Sequence, residues 1–248
     1  MVKMDSTLLK GLTLLEAIVA EGHPIGISAL ARRVDLPKSN VHRSISALRE
    51  GGYVNFDAES RRYYPSLKLA QMGRRVNAGF PFRMAILPVL RELVAATGES
   101  AHFVLLDGDS VVFVANARPD TTVASVIPDS LSLRWEDTAL GVALVSALPP
   151  EDRARLLART ETPTIRDWLA RTERDGIAQL PRHATRRIFE LAAPVRSGWD
   201  TVIGAIGITG PSMRFDDAKL PDRISAVTSA ARIAFTAHEG LSAGPDHG

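Results

Sequence analysis

The sequence contains no cysteine. This absence excludes disulfide frameworks, cysteine nucleophiles and thiolate metal sites, and it is typical of proteins that work in the reducing cytosol. The apolar runs are all interrupted well before the length that spans a membrane, and no signal-peptide pattern opens the chain. We therefore expect a cytoplasmic protein without a membrane partner.

The signatures of an enzyme are missing as well. The 6 histidines form neither HExxH nor another close metal-ligand spacing, and the chain has no G-x-S-x-G elbow and no G-x-x-x-x-G-K-[ST] loop. Gly204, Gly207 and Gly210 are typical of a strand of small residues beside a cavity or a helix, not of a dinucleotide-binding loop. Glu136 and Asp137 are adjacent carboxylates, but neighbours in sequence need not face each other. We predict no catalytic residues, no metal and no cofactor.

The net charge is small but unevenly distributed. It is +2 for the chain, whereas residues 1–79 hold 12 Lys and Arg against 7 Asp and Glu, and the remainder holds 18 against 21. A basic first third on a mildly acidic remainder favours a nucleic-acid partner at one end. The 248 residues, of which 45% are hydrophobic and 23% charged, are typical of a globular protein with one large domain or two smaller ones.

Residues 28–50 have the pattern of two short helices joined by a tight turn. Ser28 is a suitable N-cap for the first helix, and Asp35-Leu36 form the turn. Pro37 suits the first position of the second helix because it has no N–H to leave unpaired there, and Gly51-Gly52 should end that helix. The sequence therefore predicts a helix-turn-helix.

The second of these helices has two different faces. Val41, Ile45 and Leu48 repeat at spacings of four and three, so they share a buried face. The other face is small, hydrogen-bonding and cationic, which suits a DNA major groove. The alternative is an ordinary amphipathic helical hairpin with a solvated outer face. The predicted DNA-binding residues of this region are Ser28, Lys38, Ser39, Asn40, His42, Arg43 and Ser46.

A β-hairpin is predicted directly after this helix pair. Residues 53–56 have the pattern of a strand, residues 57–60 of a turn and residues 61–64 of a returning strand. A hairpin in this position is the wing of a winged helix. Arg61 and Arg62 at its tip can reach phosphate or the minor groove, so they join the predicted DNA-binding residues.

Helices are predicted on both sides of this region. The first should pack behind the helix pair through one apolar face. That face consists of Leu8, Leu12, Leu15 and Val19, with Leu9 and Ile18 beside it. A helix that opens at Pro65-Ser66 links the domains, and residues 77–81 form the boundary.

The second half mixes helices and strands, which predicts an α/β domain around a mostly antiparallel sheet. The predicted strands are residues 101–107, 111–115, 123–127, 177–180, 189–195 and 202–209. The predicted helices are residues 83–97, 137–148 and 150–159, a segment that starts at Thr164, and residues 217–238. Residues 240–248 are predicted to form a disordered tail.

Six motifs carry a resemblance to a known family. They are LLKGLTLLEAI, ISALARRVDLPKSNVHRSISALREGGYV, RRYYPSLKLAQMG, TALGVALVSALP, LAAPV and GITGP, and they span about residues 5–238. In these motifs the chain resembles the IclR family of bacterial transcriptional regulators. The resemblance implies an α+β protein of two domains. Its parts would be a winged helix-turn-helix (5–65), a linker helix (66–80), a GAF- or profilin-like effector-binding and oligomerisation domain (81–240) and a tail (241–248).

The resemblance also implies a function. It predicts a homodimeric or tetrameric regulator that binds a (pseudo)palindromic operator in double-stranded DNA. A small organic effector, often a carboxylate or an aromatic-catabolic metabolite, would modulate it. Two alternatives stay open: a ligand-sensing or scaffold protein without specific DNA binding, and an enzyme of the second domain.

By its motifs, the effector site should lie against the sheet, beside the N-terminus of the helix in TALG. A helix N-terminus offers free N–H groups and partial positive charge, which suits a carboxylate. The positions that the resemblance assigns to this region are Ser125, Leu133, Glu136, Asp137, Ala139, Leu140, Glu190, Gly207 and Thr209.

The sequence departs from the family pattern around this site. Residues 134–137 read RWED instead of a PLHA-like segment, and residues 180–183 read LPRH instead of an acidic run. Glu190 stands where a cysteine commonly precedes IAAPV. These replacements favour a ligand that is polar, differently charged or absent.

Glu190 is the most informative of these departures. Strand alternation puts Glu190 and Ala192 on one face and Phe189 and Leu191 on the other. If the first face lines a cavity, a simple anionic effector is disfavoured unless an arginine bridges the two charges. The alternative is a structural ion pair at the domain surface. A buried carboxylate is costly unless paired, and the expected partners are Arg134, Arg182, Arg186 and Arg187.

Overall fold

The computed structural model describes residues 6–78, 81–121, 124–125, 132–182, 188–196 and 201–242. By its internal contacts the chain divides into two compact units, residues 1–78 and 79–248. The first is mainly helical with a two-stranded hairpin, and the second is built on a six-stranded sheet. The predicted α+β fold with an N-terminal winged helix-turn-helix is therefore confirmed.

Helices and one hairpin make up the first unit. The hairpin strands pair antiparallel with Phe56 opposite Tyr63, and the centroids of these two rings are 4.8 Å apart. The hairpin follows the third helix directly, as expected of a wing. In chain order the elements are α1 (Ser6–Glu21), α2 (Ile27–Arg33), α3 (Lys38–Glu50), β1 (Val54–Asp57), β2 (Arg62–Pro65) and α4 (Leu67–Ala78).

The apolar face predicted for α1 is largely exposed, so this prediction was wrong. Leu8 is 63% exposed and Val19 is 51% exposed, and Leu12 is exposed as well. The helix packs through Leu14, which was not predicted, and through Ile18, which was predicted beside the face. Both are fully buried in the core of the first unit, and the predicted Leu15 is partly buried against them. Apolar residues surround most of α1, so its periodicity does not select one stripe, and contact with the neighbouring helices decides which side is buried.

Two predicted helix starts in the helix-turn-helix were also misplaced. Ser28 lies inside α2, whose N-cap is Gly26, and Pro37 is the N-cap of α3 and not its first residue. The cause is tertiary: Ile25 exchanges two backbone hydrogen bonds with Tyr63 of the wing, at 2.9 and 2.8 Å. This bridge holds the chain extended up to Gly26, so the helix begins directly after it.

The second unit is a sheet with the strand order β5-β4-β3-β8-β7-β6, and its described pairings are all antiparallel. Its strands are β3 (Ser100–Asp107), β4 (Ser110–Ala117), β5 (Ser132–Arg134), β6 (Ala178–Arg182), β7 (Ile188–Arg196) and β8 (Val202–Pro211). Its helices are α5 (Pro81–Thr97), α6 (Ala139–Ser146), α7 (Pro150–Thr160), α8 (Pro163–Asp175) and α9 (Leu220–Ser242), with 3-10 turns at Trp135–Asp137 and Ser212–Arg214.

Helices cover both faces of this sheet, so its strands are apolar on both sides. Phe103 and Leu191 face α5 and α9 in one core cluster. Val104 and Ala192 face α6 and α8 in the other. The predicted alternation of β7 is confirmed, because Leu191 and Ala192 lie in different clusters.

Three predictions for the second unit differ from the structure. Strand β5 was not predicted, because three residues with one apolar side chain are too short to show alternation. Residues 240–242, predicted as part of a disordered tail, belong to α9. Of the predicted strand 123–127, only residues 124–125 are described, and they are not in a strand; the rest lies outside the described residues.

Candidate DNA-binding surface and effector site

Helix α3 separates a buried face from an exposed one. Val41 and Ile45 have no exposed surface. On the opposite side Ser39 and Arg43 are exposed, as are the predicted neighbours Lys38, His42 and Ser46, while Asn40 is half-buried. The hydroxyl of Ser46 donates a hydrogen bond to the carbonyl of His42 at 2.8 Å. Towards a partner this hydroxyl can therefore act only as a hydrogen-bond acceptor. The predicted contact surface of α3 is thus one continuous exposed face. Ser28 is exposed on α2.

The tip of the wing is a tight turn held by Asp57. Its carboxylate accepts hydrogen bonds from the hydroxyl of Ser60 and from the backbone N–H groups of Glu59 and Ser60. The hydrogen bond from the Ser60 side chain, followed by the two backbone bonds, lowers the pKa of Asp57. Next in the turn, Arg61 has a left-handed backbone conformation with φ of 54°. The turn therefore places Arg61 at the tip of the wing, where it is exposed.

Arg61 and Arg62 do not share one position, although both were predicted at the tip. Arg62 is the first residue of β2 and pairs with Asp57, so the returning strand begins one residue later than predicted. Its guanidinium donates to the carbonyl of Pro24 at 3.4 Å. Both side chains are exposed, but Arg62 is directed back towards the segment that precedes α2.

The second candidate site is the N-terminus of α6. All eight residues of α6 are buried, so its first N–H groups must find acceptors inside the protein. Thr138 is the N-cap, and its hydroxyl accepts from the N–H of Gly141 at 2.9 Å. The carboxylate of Glu190 accepts from the N–H of Ala139 at 2.8 Å. Glu190 itself is only 2% exposed.

Polar side chains line the sheet below this helix end. Glu190 lies opposite Thr209, and Thr209 lies opposite Ser100, so the three form a buried row across β7, β8 and β3. In the next row across the sheet, His102 of β3 lies opposite Asn116 of β4, and the distance from His102 Nδ1 to Asn116 Oδ1 is 2.8 Å. A sheet face that is otherwise apolar thus carries a compact polar patch beside the start of α6.

The structure brings some predicted effector residues together and leaves others apart. Ala139, Leu140, Glu190 and Thr209 lie at the buried helix end, and the carbonyl of Ser125 joins them by accepting from the Ser100 hydroxyl at 2.8 Å.

Leu133 lies on the edge strand β5 and is partly buried against the α6 side of the sheet. Asp137 is exposed. Gly207 allows close strand contact, because a Cβ there would lie 2.3 Å from the carbonyl oxygen of Leu191. Surface grooves that the described residues form elsewhere on the second unit include none of the predicted effector residues.

One partner of Glu190 was not among those expected from the sequence. Arg134 binds Glu136 at 2.5 Å and Asp109 at 3.4 Å. Glu190 accepts a hydrogen bond from a backbone N–H of α6. Sequence reasoning considered only side-chain partners, and the pairing depends on α6 lying directly over β7. The side chains of Arg182, Arg186 and Arg187 lie outside the described residues.

Sequence reasoning missed Trp135 and the His102–Asn116 pair. Trp135 is fully buried just before α6, and among the described residues its indole N–H has no hydrogen-bond acceptor. One oxygen of Glu136, Oε2, is likewise buried without a donor in the part of the chain that the structure describes. The single histidine within the apolar run of β3 was the available signal for a polar patch.

A winged helix-turn-helix joined to a sheet domain with a buried polar site defines a DNA-binding regulator with a sensing domain. The profile described as the IclR helix-turn-helix domain matches residues 7–58, and that of the bacterial transcriptional regulator IclR C-terminal matches residues 78–234. The chain belongs to the IclR family of bacterial transcriptional regulators, which pair such a DNA-binding domain with a C-terminal effector-binding domain. Within the described residues, no helix is long and apolar enough to cross a membrane.

Individual relatives agree with this assignment. The chain is 25% identical over 230 residues to the HTH-type transcriptional regulator BhcR of Paracoccus denitrificans, covering 87% of this chain and 81% of the relative. Its fold is similar to that of an IclR family regulator from Brucella abortus, with a TM-score of 0.80, 22% identity and coverage of 95% and 93% of the two chains. It is also similar to an IclR homologue from Microbacterium hydrocarbonoxydans solved with 4-hydroxybenzoate, with a TM-score of 0.71, 20% identity and coverage of 95% and 100%.

Proposed function

We propose that the first unit reads operator DNA by placing α3 in the major groove. The observation that carries this proposal is the exposed front of α3, where Ser39, Arg43 and Ser46 stand opposite the fully buried Val41 and Ile45. Such a helix can enter a groove without losing core contacts. A guanidinium on this face can bind guanine O6 and N7 with two hydrogen bonds, which makes Arg43 the main base-reading residue.

The remaining cations then position the protein on the phosphate backbone. Lys38 lies at the N-terminal end of α3, where free N–H groups and partial positive charge also favour a phosphate. On the wing, Arg61 projects from the turn and reaches the backbone or the minor groove. Arg62 lies nearer the body of the unit and contributes to the same positive surface.

The protein acts on DNA as a homodimer or tetramer. The exposed apolar residues of α1 and α4 support this, because a lone unit would leave them in water. Those with the largest exposure on the two helices are Leu8, Val19, Leu67 and Val76. Symmetric pairing through such a surface doubles the DNA footprint and explains a (pseudo)palindromic operator.

A small organic effector binds the second unit beside the N-terminus of α6. The polar patch of the buried Glu190, Thr209 and His102, with the half-buried Asn116 beside them, supports this location, because a few convergent polar groups in an apolar setting are typical of ligand sites. The 4-hydroxybenzoate complex of the Microbacterium homologue supports a small organic molecule as the class of effector. No catalytic step is proposed for this unit.

The test is operator binding by the full-length protein. Genome-wide footprinting would identify the bound sites, and anisotropy titration on one such site would follow at several salt concentrations. A regulator that neutralises several phosphates should lose affinity steeply as the salt concentration rises. The logarithm of its binding constant should fall against the logarithm of the salt concentration with a slope of about −0.9 per phosphate. Absence of footprints, with a folded protein, would contradict the proposal and favour a scaffold in which the winged helix contacts proteins.

A further inference from the structure

We infer that Lys68 is a positioning residue for DNA recognition, because it joins the C-terminal end of α3 and the start of the wing to the first turn of α4. This inference rests on the proposed function of the first unit, and Lys68 is not among the residues assigned to its DNA surface. The starting point is two contacts of one ammonium group. Lys68 Nζ donates a hydrogen bond to the carbonyl of Gly51 at 2.7 Å, and it lies 4.1 Å from the centroid of the Tyr53 ring.

The C-terminal end of α3 receives a donor from outside the helix. The last carbonyls of a helix have no partner within it, and they carry partial negative charge. The N–H groups of residues 51–53 donate to three carbonyls of the last turn, at 2.8 to 2.9 Å. The carbonyl of Gly51, which is the C-cap, accepts from Lys68. A cation at this end is favoured both by its hydrogen bond and by the helix dipole.

The ring of Tyr53 brings the start of the wing to the same point. A Cβ at Gly51 would lie 3.0 Å from Cδ2 of Tyr53, so the ring packs against the end of α3. The carbonyl of Tyr53 accepts from the N–H of Ser66, directly before α4, at 2.9 Å. A cation over an aromatic face is attracted by the ring. Gly51, Tyr53 and Lys68, here called the Lys68 clamp, thus join α3, the wing and α4.

The backbone that carries Lys68 is itself held at the start of α4. The hydroxyl of Ser66 accepts from the N–H of Lys68 at 3.1 Å, and the carbonyl of Ser66 accepts from the N–H of Leu69 at 3.1 Å. The side chain of Lys68 therefore extends to α3 from a fixed position. Within the described residues, α3 and α4 have few other close backbone approaches. The Lys68 clamp therefore sets the orientation of α3 relative to α4 and the wing.

The orientation of α3 matters more for base recognition than for binding to phosphate. With 13 residues the helix is about 20 Å long, so a small tilt at its C-terminal end displaces Arg43 on its front face. A bidentate arginine–guanine contact requires a fixed geometry, whereas phosphate contacts carry no sequence information. Loss of the Lys68 clamp should therefore lower the affinity for the operator and leave the affinity for unrelated DNA nearly unchanged.

The test compares three variants of the full-length protein. Lys68→Met removes the charge and the donor but keeps a long side chain with high helix propensity. Lys68→Arg keeps a cation that can donate to the carbonyl and lie over the ring. Arg74→Met removes an equal charge from an exposed position of the same helix and is the matched control. Fluorescence anisotropy would follow binding to an operator duplex identified by footprinting and to a scrambled duplex of the same length, at several salt concentrations.

We expect Lys68→Met to lower the operator affinity about tenfold, because a hydrogen bond from a charged group is lost. Its affinity for the scrambled duplex should change little, and its salt dependence should change no more than that of Arg74→Met. Lys68→Arg should restore most of the operator affinity. Any effect of Arg74→Met should be the same for both duplexes, because that residue lies outside the Lys68 clamp.

A direct phosphate contact by Lys68 would give a different result. Both duplexes would then bind Lys68→Met more weakly by the same factor, and the salt slope would become shallower by about 0.9. That outcome would overturn the inference, as would wild-type operator affinity in Lys68→Met.

Amide hydrogen exchange of the free protein adds a measurement that needs no DNA. Exchange at residues 51–53 and in the last turn of α3 should become faster in Lys68→Met and stay at the wild-type rate in Lys68→Arg. Unchanged exchange in Lys68→Met would contradict the inference. A failure of the proposed function would appear separately, as a wild-type protein without operator footprints.

Discussion

Arg43 is the exposed arginine at the centre of the front face of α3. It extends from the face opposite Val41 and Ile45, and a guanidinium presents several donors in a fixed plane. Ser39 and Ser46 are too short to read a base at the same depth. Base preference in this family member should therefore depend on one side chain more than on the others.

Arg43→Ala should weaken operator binding by about 1–3 kcal/mol and relax base preference at one position of each half-site, because a bidentate arginine–guanine contact is lost. Folding should be unchanged, since the side chain is exposed. Anisotropy titrations against single-base operator variants measure both effects. Arg171→Ala, which removes one exposed arginine from α8, is the control for the loss of charge. An Arg43→Ala protein that is folded and binds with wild-type affinity would contradict the assignment.

Glu99 is a second residue whose surroundings decide its role. It is 2% exposed, and its carboxylate lies 2.9 Å from Arg223 and 3.2 Å from Arg214. Burial raises the pKa of Glu99, and the two arginines oppose the rise. Arg223, only 7% exposed, also lies over the ring of Phe215. This network ties the start of β3 to α9 and has no part in the proposed DNA or effector sites.

Glu99→Gln should destabilise the protein by about 3–5 kcal/mol, because breaking a buried ion pair leaves the buried Arg223 without its carboxylate. Urea denaturation, followed through the unfolding transition of the second unit, measures the change in the free energy of unfolding. Glu92→Gln, at an exposed position of α5, is the matched control and should stay within about 0.5 kcal/mol of the wild type. Equal stability of the two variants would show that the network contributes little.

At the scale of secondary structure, α6 depends most on its surroundings. It is short and buried on every side, so it has no polar face that would stabilise it in water. Its close approach to the preceding turn requires Gly141, because a Cβ there would lie 2.1 Å from the carbonyl oxygen of Trp135. Backbone atoms form this contact, so a side chain at residue 141 forces the turn or the helix to move.

Gly141→Ala should therefore destabilise the second unit by about 1–3 kcal/mol, as overpacking does, despite the higher helix propensity of alanine. Gly73→Ala in α4 is the control, since nothing lies within 4 Å of a Cβ there and the residue is exposed. That change should be neutral or stabilising by about 0.4–1 kcal/mol. Thermal or urea unfolding compares the two. Stabilisation by both substitutions would mean that the Trp135 turn adjusts freely.

At the scale of the whole molecule, the proposed operator binding uses more than one copy of the chain. The exposed leucines of α1 are unexpected on a monomer, because Leu14 and Ile18 already anchor this helix to the core. The stripe that the sequence analysis assigned to the core is thus available for a partner. A second copy is the partner that doubles the DNA contact surface.

We expect light scattering to show an even oligomer at working concentrations. Leu12→Gln, on the exposed stripe, should weaken operator binding while the isolated chain stays folded, because it removes apolar contact area from the dimer and not from the core. Glu16→Gln, at an exposed polar position of α1, serves as the control. A monomeric wild type with undiminished operator affinity would remove this prediction.

The sequence alone determined features that depend on local spacing. The buried face of α3 follows from Val41, Ile45 and Leu48, and the end of that helix follows from Gly51 and Gly52, because these signals act within a few residues. The wing, the alternation of side chains along β7 and the family could be predicted for the same reason. The motifs that identify the family are short, contiguous stretches.

Tertiary structure decided what depends on neighbours far along the chain. The bridge between Ile25 and Tyr63 moved the start of α2 away from Ser28, and helix packing chose which stripe of α1 is buried. Glu190 and Ala139 are 51 residues apart, so no local pattern could show that the carboxylate binds a helix end. A contact of this kind exists only once the sheet places β7 under α6.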